Sequence, residues 1–329
     1  MGGGPADPRG AVPGQFPVTA GNRGGPKAVS GRVGGNNRKD PSQAVLDQAR
    51  DENFPVAPFF LPKAWRTDLM AVYGYARLVD DIGDGDLAPG GADARALGVA
   101  PERAGDRLVL LQAFEDDLHR VFDGEPRHPL LRALQPTVRR HGLDRAPFLG
   151  LIGANRQDQL VRRYATYQEL LDYCELSANP VGRLVLALAG VSTEQRVAWS
   201  DAICSGLQIV EHLQDVSEDL VRDRIYLPAE DMKRFSVGEG DLALPAANDD
   251  VRALIAFEVE RANELLDQGA PLVRSVHGRL RLLLAGFVAG GRAALKAIAA
   301  AGHDTLPGPP KPTKPALLRE VGAALRKER

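Results

Sequence analysis

From about residue 43 to residue 301, apolar residues recur at intervals of three and four, and no stretch of useful length alternates with period two. A chain patterned this way can bury its apolar side chains only along helix faces, so the fold class is all-α. The period runs through 43–52, 62–83, 104–123, 128–141, 145–163, 167–189, 194–221, 249–272 and 276–301, with a Gly-rich break at 85–100 and a polar one at 236–248. Apolar residues make up 44% of 329, enough for the core of one large domain or two small ones.

The two ends read differently. Residues 1–44 hold eleven Gly and six Pro with almost no apolar period, which predicts a disordered extension. The structured domain is expected over 45–303, followed at 304–329 by a Pro-rich linker and a basic amphipathic tail. In that tail Leu317, Leu318, Val321 and Leu325 can share one face. A frayed, solvated helix is the expectation, and peripheral contact with an anionic membrane surface the alternative.

A net charge of −2 gives no reason to expect a nucleic-acid partner. No continuous apolar run reaches the ~18–20 residues of a membrane span. The opening MGGGPA has neither a secretory pattern nor, with Ala6, a myristoylation pattern. Cys174 and Cys204 lack metal-type spacing and read as core thiols of a reducing cytosol. The expected location is therefore the cytoplasm, with the inner face of the membrane as a peripheral option.

Against this apolar background two acidic rows stand out. Asp80 and Asp84 are four apart at the end of a core helix, which puts both on one face. About 135 residues on, LQIVEHLQDVSED repeats the spacing at Asp215 and Asp219, with Glu211 one turn above. One such pair reads as an acidic helix end. Two pairs on apolar helices need a compensating cation. Paired hard oxygen donors suit Mg²⁺, which keeps waters and takes further ligands from phosphate oxygens, so facing rows could hold a diphosphate and make it a leaving group. Arg77, Arg222 and Arg224 stand close by as phosphate partners. Tyr73, Tyr173 and Tyr226 fall in the same segments, where aromatic faces can steady a carbocation.

Three segments together resemble the squalene/phytoene synthase family. YGYARLVDDIGD (73–84) is similar to its first aspartate-rich motif, LQIVEHLQDVSEDLVRDRIYLP (207–228) to its second, and YCELSANPVGRLVL (173–186) to the helix between them. The resemblance covers about 45–300. It implies the type I isoprenoid synthase helical bundle around a central apolar cavity, acting on prenyl diphosphates. Asp80, Asp84, Asp215 and Asp219 would be ligands of Mg²⁺ and diphosphate, with Glu211 beside them and two or three ions in all. Arg77 and Arg224 would hold diphosphate. Asn53, Phe54, Tyr73, Tyr173, Gln208 and Tyr226 would line the pocket.

Within the family, ENFPVA (52–57), SANPVG and DDIGD resemble the hydroxysqualene synthase branch. That resemblance implies presqualene diphosphate as substrate, water as co-substrate and no NADPH; no Gly-rich dinucleotide fingerprint is present. Its expected pathway partners are a presqualene diphosphate synthase and a flavin-dependent reductase. Two residues depart from the family pattern: Glu211 stands where Asn is common, and Gln214 where many condensing members have Arg. The alternatives are a synthase condensing farnesyl diphosphate or another prenyl diphosphate, and a non-catalytic helical partner of the same fold.

Overall fold

The computed structural model describes residues 59–88 and 90–326. The helix expected over 43–52, the Gly- and Pro-rich extension, and Asn53 and Phe54 lie outside the described residues. In chain order the helices are α1 (Lys63–Asp84), α2 (Ala92–Leu97), α3 (Arg107–Asp123), α4 (Pro129–His141), α5 (Ala146–Gln157), α6 (Tyr167–Ser177), α7 (Asn179–Leu188), α8 (Glu194–Gln214), α9 (Val216–Val221), α10 (Ala229–Arg234), α11 (Glu239–Leu242), α12 (Asp249–Gly269), α13 (Pro271–Ser275), α14 (Gly278–Ala300) and α15 (Lys314–Arg326).

Local chemistry sets the ends of these helices. α1 follows Pro62 and stops at Gly85, whose φ of 78° lets its N–H turn back to the carbonyls of Asp81 and Ile82. Asp106, Thr166, Thr193 and Asn248 each accept a first-turn N–H and so cap α3, α6, α8 and α12.

Long periodic stretches break where the backbone must bend. The segment 167–189 divides at Ala178, because Pro180 has no N–H to continue α6 and instead fits the first turn of α7. The segment 249–272 divides before Pro271. The helix expected to reach residue 163 ends at Gln157. Beyond it the chain turns extended, and the Ile225 N–H donates to the Arg162 carbonyl at 2.9 Å. That contact ties the exit of α5 to the end of the second acidic segment. The intended break at 85–100 carries α2, and the one at 236–248 carries α11.

α1 packs on α3, α4 and α5, while α8 lies along α12 and also touches α7 and α14. Tyr75, fully buried on α1, packs its ring on Phe114 and Phe148 and donates its hydroxyl to the Phe148 carbonyl at 2.8 Å. α14 is long and apolar enough to cross a membrane by length and composition, with a mean hydropathy of 1.5. A search for unbroken apolar runs misses it because Arg281, Arg292 and Lys296 interrupt the sequence. Most of its surface is covered by protein.

Residues 303–326 do not stand off as a separate tail. Asp304 accepts from the Ala247 N–H at 3.0 Å and from Arg252 at 2.7 Å, and Thr305 and Leu306 are buried. α15 then packs along α14, with Glu320 buried and paired to Lys296 at 2.6 Å. The packed face is rotated from the one expected: Glu320 and Ala324 are buried, while Leu318 is 72% exposed.

Candidate active site

The two acidic rows meet. Asp80 and Asp84 from α1, and Asp215 and Asp219 from the α8–α9 junction, line one cavity of about 230 Å³. Asp215 interrupts the helix with φ −104° and ψ 14°. Its N–H still donates to the Glu211 carbonyl at 2.9 Å, and the Asp219 N–H to the Asp215 carbonyl at 2.8 Å, so the four-residue register survives the break. Glu211 lines the same cavity, with Gln208, Tyr173 and Tyr226. A second chamber, of about 560 Å³, shares Asp80, Asp84, Glu211 and Asp215 and adds Tyr73, Arg77, Gln214 and Lys311. Most of the lining is polar. Leu151, Ala154 and the tyrosine rings supply the apolar part of the smaller cavity.

The arginines divide their work. Arg222 and Arg224 both donate to Asp84, at 3.1 and 2.9 Å. Arg77 instead pairs with Asp81 at 2.9 Å while lining the larger chamber. Asp80 opens onto both chambers, and it accepts from Asn155 Nδ2 at 3.0 Å. Burial, opposed by that hydrogen bond and reinforced by the Asp84 charge, pushes its carboxyl up to about 7. Asp219 also rises to about 7, through burial first and the Asp215 charge second. Burial and Glu218 raise Asp215 as well.

Sequence reasoning missed a second cluster against the same cavity. Asp158 is buried and accepts from Tyr173 at 2.8 Å and from Tyr226 at 3.1 Å, one phenol on each oxygen. It thereby orients both rings predicted for the pocket. Burial raises Asp158, with Arg224 the largest opposing influence. His212 stacks on Tyr226, ring centroids 3.7 Å apart, and its Nε2 lies 3.4 Å from Gln208. Burial drives His212 down to about 3, so the imidazole is neutral. His212 lies inside the quoted second motif and could have been noticed there. Asn155 and Asp158 carry no spacing signal and join the site only because α5 crosses α1.

Among the described residues no three His, Cys, Asp or Glu side chains converge as a ready metal cage. The donors are instead oxygen-only and paired, with the Asp80 and Asp219 carboxyls raised by burial first and by their acidic neighbours second. Such a set fits a hard dication that draws the rest of its shell from water and phosphate.

The family model of squalene/phytoene synthase matches residues 48–317. Hydroxysqualene synthase of Zymomonas mobilis subsp. mobilis is 34% identical over 235 residues, 70% of this chain and 72% of its own. The 15-cis-phytoene synthase of Synechococcus elongatus is 31% identical over 237 residues, 68% of this chain and 72% of its own. The crystal structure of squalene synthase HpnC from Alicyclobacillus acidocaldarius superposes with a TM-score of 0.69 at 39% identity, covering 80% of this chain and 94% of that one. With its helical fold and two facing carboxylate rows, the chain belongs to the squalene/phytoene synthase family, whose members process prenyl diphosphates.

Proposed function

We propose that this protein is a hydroxysqualene synthase: it ionises presqualene diphosphate, lets the carbocation rearrange, and captures it with water. The observation that carries the reading is the convergence of Asp80, Asp84, Asp215 and Asp219, from helices far apart in sequence, on one cavity that also holds Arg222 and Arg224. These carboxylates, with Glu211 alongside, would hold Mg²⁺, which when bound would supply the positive charge that makes diphosphate a leaving group. The carbon–oxygen bond to diphosphate breaks with its electron pair leaving on the diphosphate. Water adds through oxygen to the rearranged cation and releases one proton.

The protein's own share is orientation and shielding. Arg222 and Arg224 can turn their guanidiniums from Asp84 to phosphate oxygens. Tyr173, fixed through Asp158, lines the cavity where its ring can steady the developing cation, while the face of Tyr226 is taken by His212. Neutral His212 adds no competing positive charge. The Zymomonas relative supports the hydroxysqualene branch. So does Gln214, which spends its amide on the Pro310 carbonyl at 3.0 Å, so this position adds no cation for a second diphosphate. The phytoene synthase relative favours a second reading, condensation of two prenyl diphosphates.

Product analysis separates the two. Purified protein is incubated with Mg²⁺ and presqualene diphosphate without NADPH, and in parallel with farnesyl diphosphate. Hydroxysqualene from presqualene diphosphate alone is expected; consumption of farnesyl diphosphate would establish a condensing synthase instead. Chelator should abolish turnover and added Mg²⁺ restore it. Asp80→Asn and Asp215→Asn should each lower kcat by about 10²–10³-fold, the cost of removing an electrostatic partner of the leaving group.

A further inference from the structure

The last turn of α1 must hold two carboxylates in place, and it is gripped from outside the helix. The Gly83 carbonyl accepts from Gln159 Nε2 at 2.9 Å and from Arg107 at 3.2 Å. Beside it, Asn155 sends Nδ2 both to Asp80 Oδ1 at 3.0 Å and to the Leu151 carbonyl at 3.2 Å. Both partners are acceptors, which fixes the orientation of the amide and turns Asn155 Oδ1 toward Gly83. A Cβ on Gly83 would land on that amide, 2.8 Å from Cγ. Gly83 lies inside α1 and has no positive φ, so its value here is clearance. Asn155 is 7% exposed and has little room to retreat.

We propose that Asn155 is the positioning residue for the Asp80 carboxylate, and that Gly83 in DDIGD is the gap through which its amide reaches Asp80. The proposal rests on the reading of Asp80 as a Mg²⁺–diphosphate ligand. The Asn155 hydrogen bond uses one lone pair of Oδ1, sets the plane of the carboxylate, and leaves Oδ2 for the chamber. Loss of such an outer partner of a metal-binding group typically costs 10–100-fold in metal affinity.

Binding of Mg²⁺ with inorganic diphosphate to the intact protein, read by calorimetry, tests this without turnover. Asn155→Ala should weaken binding about 10–100-fold. Gly83→Ala, which displaces the same amide, should give a similar loss. The double variant should lose no more than the worse single variant, because both break one interaction. Melting temperatures without Mg²⁺ separate loss of fold from loss of positioning. If Asn155→Ala melts early, Asn155→Asp keeps the shape, puts carboxylate against carboxylate, and should lose at least as much affinity. Unchanged affinity in a folded Asn155 variant would overturn the proposal, as would additive losses in the double variant. If the unaltered protein binds no Mg²⁺–diphosphate, the ligand reading of Asp80 falls and this proposal with it.

Discussion

Asp219 is part-buried beside Asp215, and its carboxyl is raised to about 7. A carboxyl raised in the fold binds its proton more tightly there than in the unfolded chain. Its stabilising contribution is therefore fully present below the unfolded value of 3.8, and is lost as pH rises through about 7. At pH 8 the charged group strains the fold. In Mg²⁺-free buffer Asp219→Asn should raise Tm by a few °C at pH 8, with the gain shrinking toward pH 4. A melting series over that range checks it, and a gain that grew on acidification would reverse the assigned cause. The same variant should lose turnover. The aspartates were legible in the sequence because i,i+4 spacing is local. Asn155 and Asp158 were not, because only the crossing of α5 with α1 and the approach of Tyr173 and Tyr226 give them their partners.

At the scale of elements, the placement of the second acidic row depends on how α8 lies against α12. Gly269 closes that contact: a Cβ there would meet the Trp199 carbonyl at 2.6 Å and the backbone nitrogen of Ile203 at 3.0 Å. Backbone cannot move aside as a side chain can, so the helices must part. Gly269→Ala should destabilise by about 1–3 kcal/mol, seen as a lowered urea midpoint with little change in m. Helix positions were readable from periodicity alone. Helix breaks at Ala178 and Ala270 could have been read from the prolines that follow, Pro180 two residues on and Pro271 next in sequence, which have no N–H to give. The break at Asp215 could not, because nothing in LQDVSED forbids a continuous helix, and its register bonds persist across the bend.

For the whole molecule, the C-terminal segment completes the chamber. The Pro-rich stretch is pinned at Asp304–Leu306 on one side and by α15 on the other, and it brings Pro309 and Lys311 to the shared carboxylate wall. Composition alone reads this stretch as a linker. Its contacts with Arg252, Gln214 and α14 are long-range and leave no periodic mark. Lys311→Ala should raise KM for a diphosphate substrate about tenfold, as expected for one charge-assisted contact of ~1.5 kcal/mol, while Tm stays unchanged. An unchanged KM would remove Lys311 from the site. If the carboxylates hold Mg²⁺ as proposed, the pairing of Asp84 with Arg222 and Arg224 also predicts the order in which the site fills. A carboxylate already neutralised by two guanidiniums offers a free dication little net attraction. An arriving diphosphate would be the better partner for both arginines, and by drawing them away it would free Asp84 for the metal. On that reading filling is an exchange of partners that the substrate itself begins, with Asp84 the last of the four aspartates to open to a cation.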